Sequence, residues 1–346
     1  MVRRVLVFNV GSSSIKYSLF EDGSLIDSEY FERLKKREDY GDVVKKIFKK
    51  VDEKSVDLIA HRVVHGGDLK KPIRITKQVK EKINEFSKFA PLHNPKEIMV
   101  IDFCEKYGIP QYAVFDTMFF SGIPDVAKIY AIPKGITKKY NIRRYGFHGL
   151  SHEFVSRGLK EKTIVCHLGS GASVSAILNG KAIDVSMGLT PLEGLVMGTR
   201  SGTIDPGIII FLEKKGFDVE EILSRKSGLK GLCGYNDFRD ILKRLNNKDC
   251  KLAYGIFVYS IVKIIGSYLA CLNGLDNLVF TGAIGENVSK LRKDVCDCFK
   301  FLNVKLDKEK NKLNAEFISS KNSGVKVYVR KTDEAKMILE KVLKIL

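Results

Sequence analysis

Arg62 and Arg200 each stand in a glycine-rich segment, residues 61–67 (HRVVHGG) and 197–202 (MGTRSG), that exposes a side chain. Two guanidinium groups displayed this way suit the charge on a transferring phosphoryl group. His148 lies between Gly146 and Gly149 (YGFHG, 145–149), and glycines on both sides weaken its ordinary reading as a core histidine. Asp116 ends the apolar run Val114-Phe115, a place where α/β sheets carry active-site carboxylates, for catalysis or for Mg²⁺. Each has a plainer alternative: a solvated arginine, a buried imidazole, a capping aspartate.

Phosphate-gripping turns accompany these residues. Residues 7–27 and 165–184 repeat one pattern: an apolar strand, a Gly-Ser turn, a second strand, an Asp-Gly or Asn-Gly turn, and a third strand ending Ile-Asp. In the first copy, Asn9–Lys16 (NVGSSSIK), Gly11 allows close backbone approach, Ser12, Ser13 and Ser14 add hydroxyl donors, and Lys16 adds a point charge. It is not a Walker loop, because no Gly-Lys-Ser/Thr opens a helix. Such a run alone is usually an ordinary turn; the second copy, His167-Leu168-Gly169-Ser170-Gly171, favours phosphate. Gly282-Ala283-Ile284-Gly285-Glu286-Asn287 follows a buried strand and precedes a helix, which fits a nucleotide. A duplicated unit implies two similar half-molecules, each offering one hairpin to a phosphoryl group.

The elements that must position these groups follow from the pattern of apolar residues and turns. Strands are expected at 4–10, 15–20, 24–30, 56–61 and 114–117, with helices at 37–52, 77–90 and 95–107. After a loop-rich crossover at 121–149 the plan repeats: helix 151–160, strands 163–168, 172–178 and 181–185, several helices between 206 and 272, and strands at 278–281 and 325–329. A helix starts near 287, and the terminal helix 333–345 packs back on the first half. Alternating hairpins and helices predict an α/β protein with mixed sheets covered by helices.

Composition excludes several classes. A chain of 346 residues suggests two domains, and 44% hydrophobic with 29% charged residues is that of a soluble globular protein. The net charge of +18 invites a nucleic-acid reading, but the lysines fall in short groups among acids, with no basic and aromatic stripe. The seven cysteines lack metal or disulfide spacing and read as reduced thiols of a cytoplasmic protein. The start is too soon broken by Gly-Ser for a signal peptide, and residues 255–272, with Lys263 inside, suit a core helix better than a membrane span.

Residues 9–16 (NVGSSSIK), 61–67 (HRVVHGG), 90–95 (APLHNP), 114–117 (VFDT), 145–149 (YGFHG), 167–171 (HLGSG), 186–206 (SMGLTPLEGLVMGTRSGTIDP), 236–240 (NDFRD) and 285–288 (GENV) together resemble the acetate kinase family, from Val5 to about Glu334. The resemblance implies two duplicated ribonuclease-H-like domains of the actin/Hsp70 type, with mixed β-sheets flanked by helices and a central cleft. Residues 1–118 plus 333–346 would form the first domain and 119–332 the second, nucleotide-binding one. It implies ATP-dependent phosphorylation of acetate, or alternatively of propionate or another short carboxylate, with Mg²⁺ (or Mn²⁺), in a cytoplasmic homodimer that binds neither nucleic acid nor membrane. Asp116, Arg62, Arg200 and His148 would be catalytic, the last two supporting the transition state. Arg62, Val64, Leu92, Phe147 and Pro191 would bind the carboxylic acid, and Asn9 with Glu334 the metal. Ser14, Lys16, His167, Gly169, Ser170, Gly171, Asp237, Phe238, Arg239, Gly282, Ala283, Ile284, Gly285 and Asn287 would hold the nucleotide. Ser12 would also shape the phosphate turn and His93 would be a supporting histidine. The sequence departs from the family's usual residues at Ser170, at Gly282-Ala283 and at Asp333-Glu334-Ala335, and is shorter between Lys16 and Arg62.

The chemistry expected is direct in-line transfer. A short carboxylic acid has a pKa of about 4 to 5, so the nucleophile is already ionised and needs no general base. The obstacle is repulsion between anions, about 4 kcal/mol for two unit charges ~4 Å apart at an effective dielectric of 20. Asp116 is therefore expected to position an arginine or the metal. The rival readings are a regulatory ATPase module and a basic nucleic-acid-binding protein.

Overall fold

A computed structural model describes residues 3–346. The chain divides into two units: Met1–Ser121 with Phe147–Phe154 and Asp333–Leu346, and Gly122–Gly146 with Val155–Thr332. Residues 147–154 sort with the first unit, and the terminal segment does so as well.

The first unit holds a six-stranded sheet in the order β3-β2-β1-β4-β6-β5. Its strands are β1 (Arg4–Gly11), β2 (Ser14–Glu21), β3 (Ser24–Glu32), β4 (Leu58–Val63), β5 (Ile73–Arg74) and β6 (Gln111–Phe115). β1, β2 and β3 form an antiparallel meander, while β4 pairs with β1 and β6 with β4 in parallel. Residues on alternate sides of β1 feed two cores. Val5 and Val7 face one that includes Ala113, Phe115, Met337, Ile338 and Val342; Leu6, Phe8 and Val10 face another built with Tyr40, Val44 and Phe48. Helices therefore cover both faces of the sheet, as parallel pairing demands.

The second unit repeats this plan. Strands β7 (Thr163–Leu168), β8 (Ala172–Leu178) and β9 (Lys181–Val185) form the meander, and β10 (Asn277–Thr281) and β11 (Lys326–Val329) continue the sheet in parallel, order β11-β10-β7-β8-β9. The likeness extends to irregularities. Each β-hairpin has a register shift near its distal end, at Leu19/Phe20 and at Ala176/Ile177. Each then turns on a left-handed pair, Asp22 and Gly23 at φ 47° and 81°, Asn179 and Gly180 at φ 51° and 74°. Asn, Asp and Gly tolerate that backbone, which is why these dipeptides close hairpins.

Several boundaries differ from expectation. The helix expected to begin near 287 begins at Gly282, running Gly282–Asn287 before a second helix, Ser289–Asp297. Glu286 explains the earlier start: its carboxylate accepts the Gly282 amide at 3.0 Å and the Thr281 hydroxyl at 3.3 Å, capping the turn from within. The expected helix 77–90 ends at Glu85 and gives way to turns through Ala90. The short edge strand β5 was not foreseen; two residues give too little periodicity to detect.

The helix Lys248–Leu272 is long and apolar enough to cross a membrane by length and composition. Its Ala253, Tyr254, Phe257, Ile261, Ile265, Tyr268 and Leu272 are buried at helical spacing against the second unit. The opposite face is exposed, so the segment is a one-sided core helix and not a fully buried one.

Candidate active site

In the first unit, β4 delivers Arg62 beside the end of β6, and β6 delivers Asp116. The two form a bidentate pair: Arg62 Nε donates to Asp116 Oδ1 at 2.9 Å and Nη2 to Oδ2 at 2.6 Å. Arg62 Nη1 donates to Asn9 Oδ1 at 3.0 Å and lies 3.3 Å from Glu334 Oε2, while Asn9 Nδ2 donates to that same oxygen at 2.8 Å. Asn9, Arg62, Asp116 and Glu334, drawn from β1, β4, the turn that follows β6 and the terminal helix Glu334–Leu343, thus form one network. Burial opposes the charge on Arg62, but Asp116 and Glu334 more than offset it and hold the guanidinium charged. Burial, followed by the nearby Asp116, raises the Glu334 carboxyl above its ordinary range despite the partial relief from Arg62.

His148 sits at the head of the helix Gly149–Ser156 in a left-handed conformation, φ 58°. Its amide donates to Asp116 Oδ2 at 3.3 Å. Gly149 is required next to it, since a Cβ there would fall 2.0 Å from the Asp116 carbonyl oxygen. Val64 and Phe147, two of the expected apolar contacts, are buried in this unit, and His65 links them: its ring lies edge-on to Phe147 with centroids 5.3 Å apart. Leu92 is half-buried. In the hairpin, Gly11 pairs with Ser14 across the two-residue turn Ser12-Ser13, and Lys16 is exposed. The Ser12 carbonyl accepts from Tyr40 Oη at 3.1 Å and from Lys96 Nζ, so the turn is anchored from behind.

In the second unit the matching turn is longer by one residue, with Leu168 paired to Ala172 across Gly169-Ser170-Gly171. The Ser170 carbonyl accepts from Gly198 N at 3.1 Å, fixing the expected phosphate turn to the segment that carries Arg200. Arg200 Nη1 donates to the Pro191 carbonyl at 2.7 Å. No carboxylate within this unit pairs with it, and burial alone brings its pKa down to about 10. A guanidinium held this way has unmet demand for an anion.

Arg144 and Glu193 brace that loop. Arg144 Nη2 donates to Glu193 Oε1 at 2.8 Å and Nη1 to the Val185 carbonyl at 3.0 Å; Tyr130 Oη donates to Glu193 Oε2. Behind the Gly282–Asn287 turn, Arg292 is fully buried and satisfies all five N–H groups. Nε reaches Asn311 Oδ1 at 2.8 Å, Nη1 the carbonyls of Gly285 and Glu286 at 2.8 and 2.9 Å, and Nη2 the Asn311 carbonyl and Asn314 Oδ1 at 2.7 and 2.5 Å. It clamps the expected nucleotide turn to the following loop.

Other expected nucleotide contacts are placed unevenly. Gly282 and Gly285 are buried, Ala283 exposed and Ile284 half-buried, with Asn287 Nδ2 spent on the Ala283 carbonyl at 2.9 Å. His167 lies at the end of β7, in register with Thr281. Asp237 caps the helix Phe238–Lys243 and pairs with the exposed Arg239 at 2.6 Å. Phe238 differs in kind: it is a core side chain, its ring 5.2 Å from Phe257 and 5.9 Å from Tyr254. Asn94, Glu97, Tyr130, Arg144, Glu193 and Arg292 had not been singled out from the sequence. Of these, only Asn94, inside the 90–95 motif, and Glu193, inside the 186–206 motif, carried any signal.

A resident magnesium-type ion fits the first-unit network by its donor chemistry. Two carboxyl groups and the neutral amide oxygen of Asn9 surround one guanidinium, a set of hard oxygen donors that outnumbers the cation. Among the described residues, no group of three or more His, Cys, Asp or Glu forms a metal cluster by itself.

Comparison with known proteins bears on what this arrangement does. A family model described as the acetokinase family matches residues 33–340. The chain is 41% identical over 400 aligned positions to the acetate kinase of Carboxydothermus hydrogenoformans, covering 99% of each. It is 44% identical over 391 positions to that of Thermotoga maritima, covering 97% of this chain and 96% of the relative. Alignments longer than 346 residues mean that these relatives carry segments this chain lacks. Among solved structures, a propionate kinase from Francisella tularensis subsp. tularensis SCHU S4 matches with a TM-score of 0.88 at 38% identity over 98% of both chains. Porphyromonas gingivalis acetate kinase matches with a TM-score of 0.84 at 36% identity over 99% of both.

Proposed function

The chain belongs to the acetokinase family, and from that premise we propose that it transfers the γ-phosphoryl group of ATP to acetate, giving acetyl phosphate and ADP reversibly. The observation that carries this reading is the different condition of the two arginines. Arg62 is a scaffolded cation, oriented by Asp116 and Asn9; Arg200 is a half-buried cation that pairs with no carboxylate among the described residues of its unit. The first suits holding a carboxylate in one pose, the second meeting charge that gathers on a phosphoryl group.

Asp116 is engaged through both oxygens, with Arg62 and with the His148 amide, so it positions these groups and takes no proton. That agrees with a nucleophile ionised at neutral pH. Val64, Phe147, Leu92 and Pro191 would receive the methyl group. Lys16, Ser14 and the Gly169–Gly171 turn would meet phosphate oxygens, and the Gly282–Asn287 turn the rest of the nucleotide. Asn9 and Glu334 would hold Mg²⁺, which when bound supplies charge neutralisation for the phosphates. ATP and free thiols both point to the cytoplasm; all seven cysteines are unpaired.

Propionate is the alternative acceptor, favoured by the likeness to the Francisella propionate kinase. One methylene in an apolar pocket separates the two acids by only ~1–3 kcal/mol. The test is initial rates with acetate, propionate and butyrate under ATP and Mg²⁺, with the acyl phosphate trapped as hydroxamate. Acetate is expected to be fastest, propionate within about 200-fold of it and butyrate slower. Absence of any trapped product would remove the kinase reading and leave a regulatory ATPase.

A homodimer is also proposed. The helix Pro206–Lys214 has no buried residue, although it presents Ile208, Ile210 and Phe211, each 46–57% exposed, and the long helix shows Leu252 and Tyr259. Apolar faces of this kind need cover. Light scattering should return twice the chain mass, and Ile210→Glu with Phe211→Glu should return the monomer. A monomeric wild-type protein would exclude the dimer.

A further inference from the structure

The helix Asn94–Glu105 sends two side chains, one turn apart, into the loop that follows β4. Glu97 Oε2 accepts the Val64 amide at 3.1 Å. Asn94 Oδ1 accepts the His65 amide at 3.0 Å, and its Nδ2 donates to the His65 carbonyl at 2.9 Å. Thr117 Oγ1 accepts the Gly66 amide at 3.3 Å, completing the set. Every backbone amide from Val64 to Gly66 is thus held by a buried side chain and none by a strand partner. Gly66 is pressed so closely to β6 that a Cβ would lie 2.4 Å from the Phe115 ring. Glu97 is 1% exposed, and its other oxygen, Oε1, is buried without a hydrogen-bond partner.

We propose that Glu97, aided by Asn94, is a specificity-determining positioning residue: it sets how far Val64 projects into the first-unit part of the acyl pocket. The proposal rests on the carboxylate-kinase reading above and adds the element that tunes acid length. A buried carboxyl that accepts one backbone amide and leaves its second oxygen without a partner is costly for packing alone. Burial, chiefly, pushes the Glu97 pKa up to about 8, against partial relief from the Val64 amide and Arg62. The neutral form therefore predominates at neutral pH while Oε2 accepts the Val64 amide. In that form it adds no charge beside Arg62 and Asp116, so only the length and rigidity of the side chain reach the pocket.

The consequence is specific. Glu97→Gln keeps the acceptor and the length, and should stay within about twofold of wild type in every parameter. Glu97→Leu leaves the Val64 amide unpaired in the core, and Glu97→Asp withdraws the acceptor by one methylene. Both should raise the acetate KM about tenfold and shrink the acetate-to-propionate preference at least threefold, while KM for ATP stays put. A purely structural role would lower thermal stability and total activity without moving that ratio. Should Glu97→Leu not fold, Glu97→Asp decides alone. An unchanged acetate-to-propionate ratio in Glu97→Asp, or a Gln variant as altered as the Asp one, overturns the proposal. A wild-type enzyme that phosphorylates none of the acids would instead defeat the functional reading on which it stands.

Discussion

Arg200→Ala is expected to lower kcat/KM for acetyl phosphate formation by about 10³-fold or more while leaving the melting temperature unchanged or slightly higher. Arginines that meet transition-state charge in phosphoryl transfer contribute on that scale. The stability half of the expectation is the unusual one. The half-buried Arg200 guanidinium makes one hydrogen bond among the described residues, to the Pro191 carbonyl, which offsets its burial cost only in part. Removing such a cation relieves the fold of an uncompensated charge. Its position therefore suits an arriving anion. Scanning calorimetry of the wild type and variant, with and without ADP and phosphate, checks both halves. A variant that keeps its rate, or one that loses many degrees of stability, would show that Arg200 is a structural residue.

Arg62→Ala should behave in the opposite way for stability and the same way for rate. Turnover is again expected to fall about 10³-fold or more, because the carboxylate loses its oriented partner. Here the fold suffers as well, since Asp116 is wholly buried and its bidentate partner disappears. Leaving one member of a buried pair alone costs about 3–5 kcal/mol. For a chain of this size that corresponds to a fall of roughly 10 °C in melting temperature. Pairing the change with Asp116→Asn should recover much of the stability and none of the activity, a non-additivity that contact predicts. If Arg62→Ala alone proved fully active, or if the double variant were no more stable than the single, the scaffolded-cation account would fail.

Much of this was legible beforehand, for identifiable reasons. Strands 163–168, 172–178 and 181–185 fall where the Gly-Ser and Asn-Gly turns bound them, because a two-residue left-handed turn fixes register as well as position. The pairing of Arg62 with Asp116 was foreseen only as one option, since nothing in the sequence says that β4 and β6 are neighbours. Phe238 was read by its place in a motif, whereas its ring serves the core. Glu97 and Arg292 went unnoticed because a charged residue on a helix is ordinarily a solvated one. Burial of each depends on a distant loop, residues 64–66 for Glu97 and 311–314 for Arg292. Their role is tertiary, and local pattern carries no trace of it.

The helix Glu334–Leu343 supplies both a carboxylate beside Arg62 and the apolar residues Met337, Ile338 and Val342 under the first sheet. On the ribosome it emerges only after the whole second unit has been made. Until then one side of the N-terminal sheet is covered only in part, by residues such as Val79, Ile83 and Leu150, while the second unit, free of that dependency, has every strand it needs. A nascent chain consequently carries an unfinished charge network around Arg62 until Glu334 has been made.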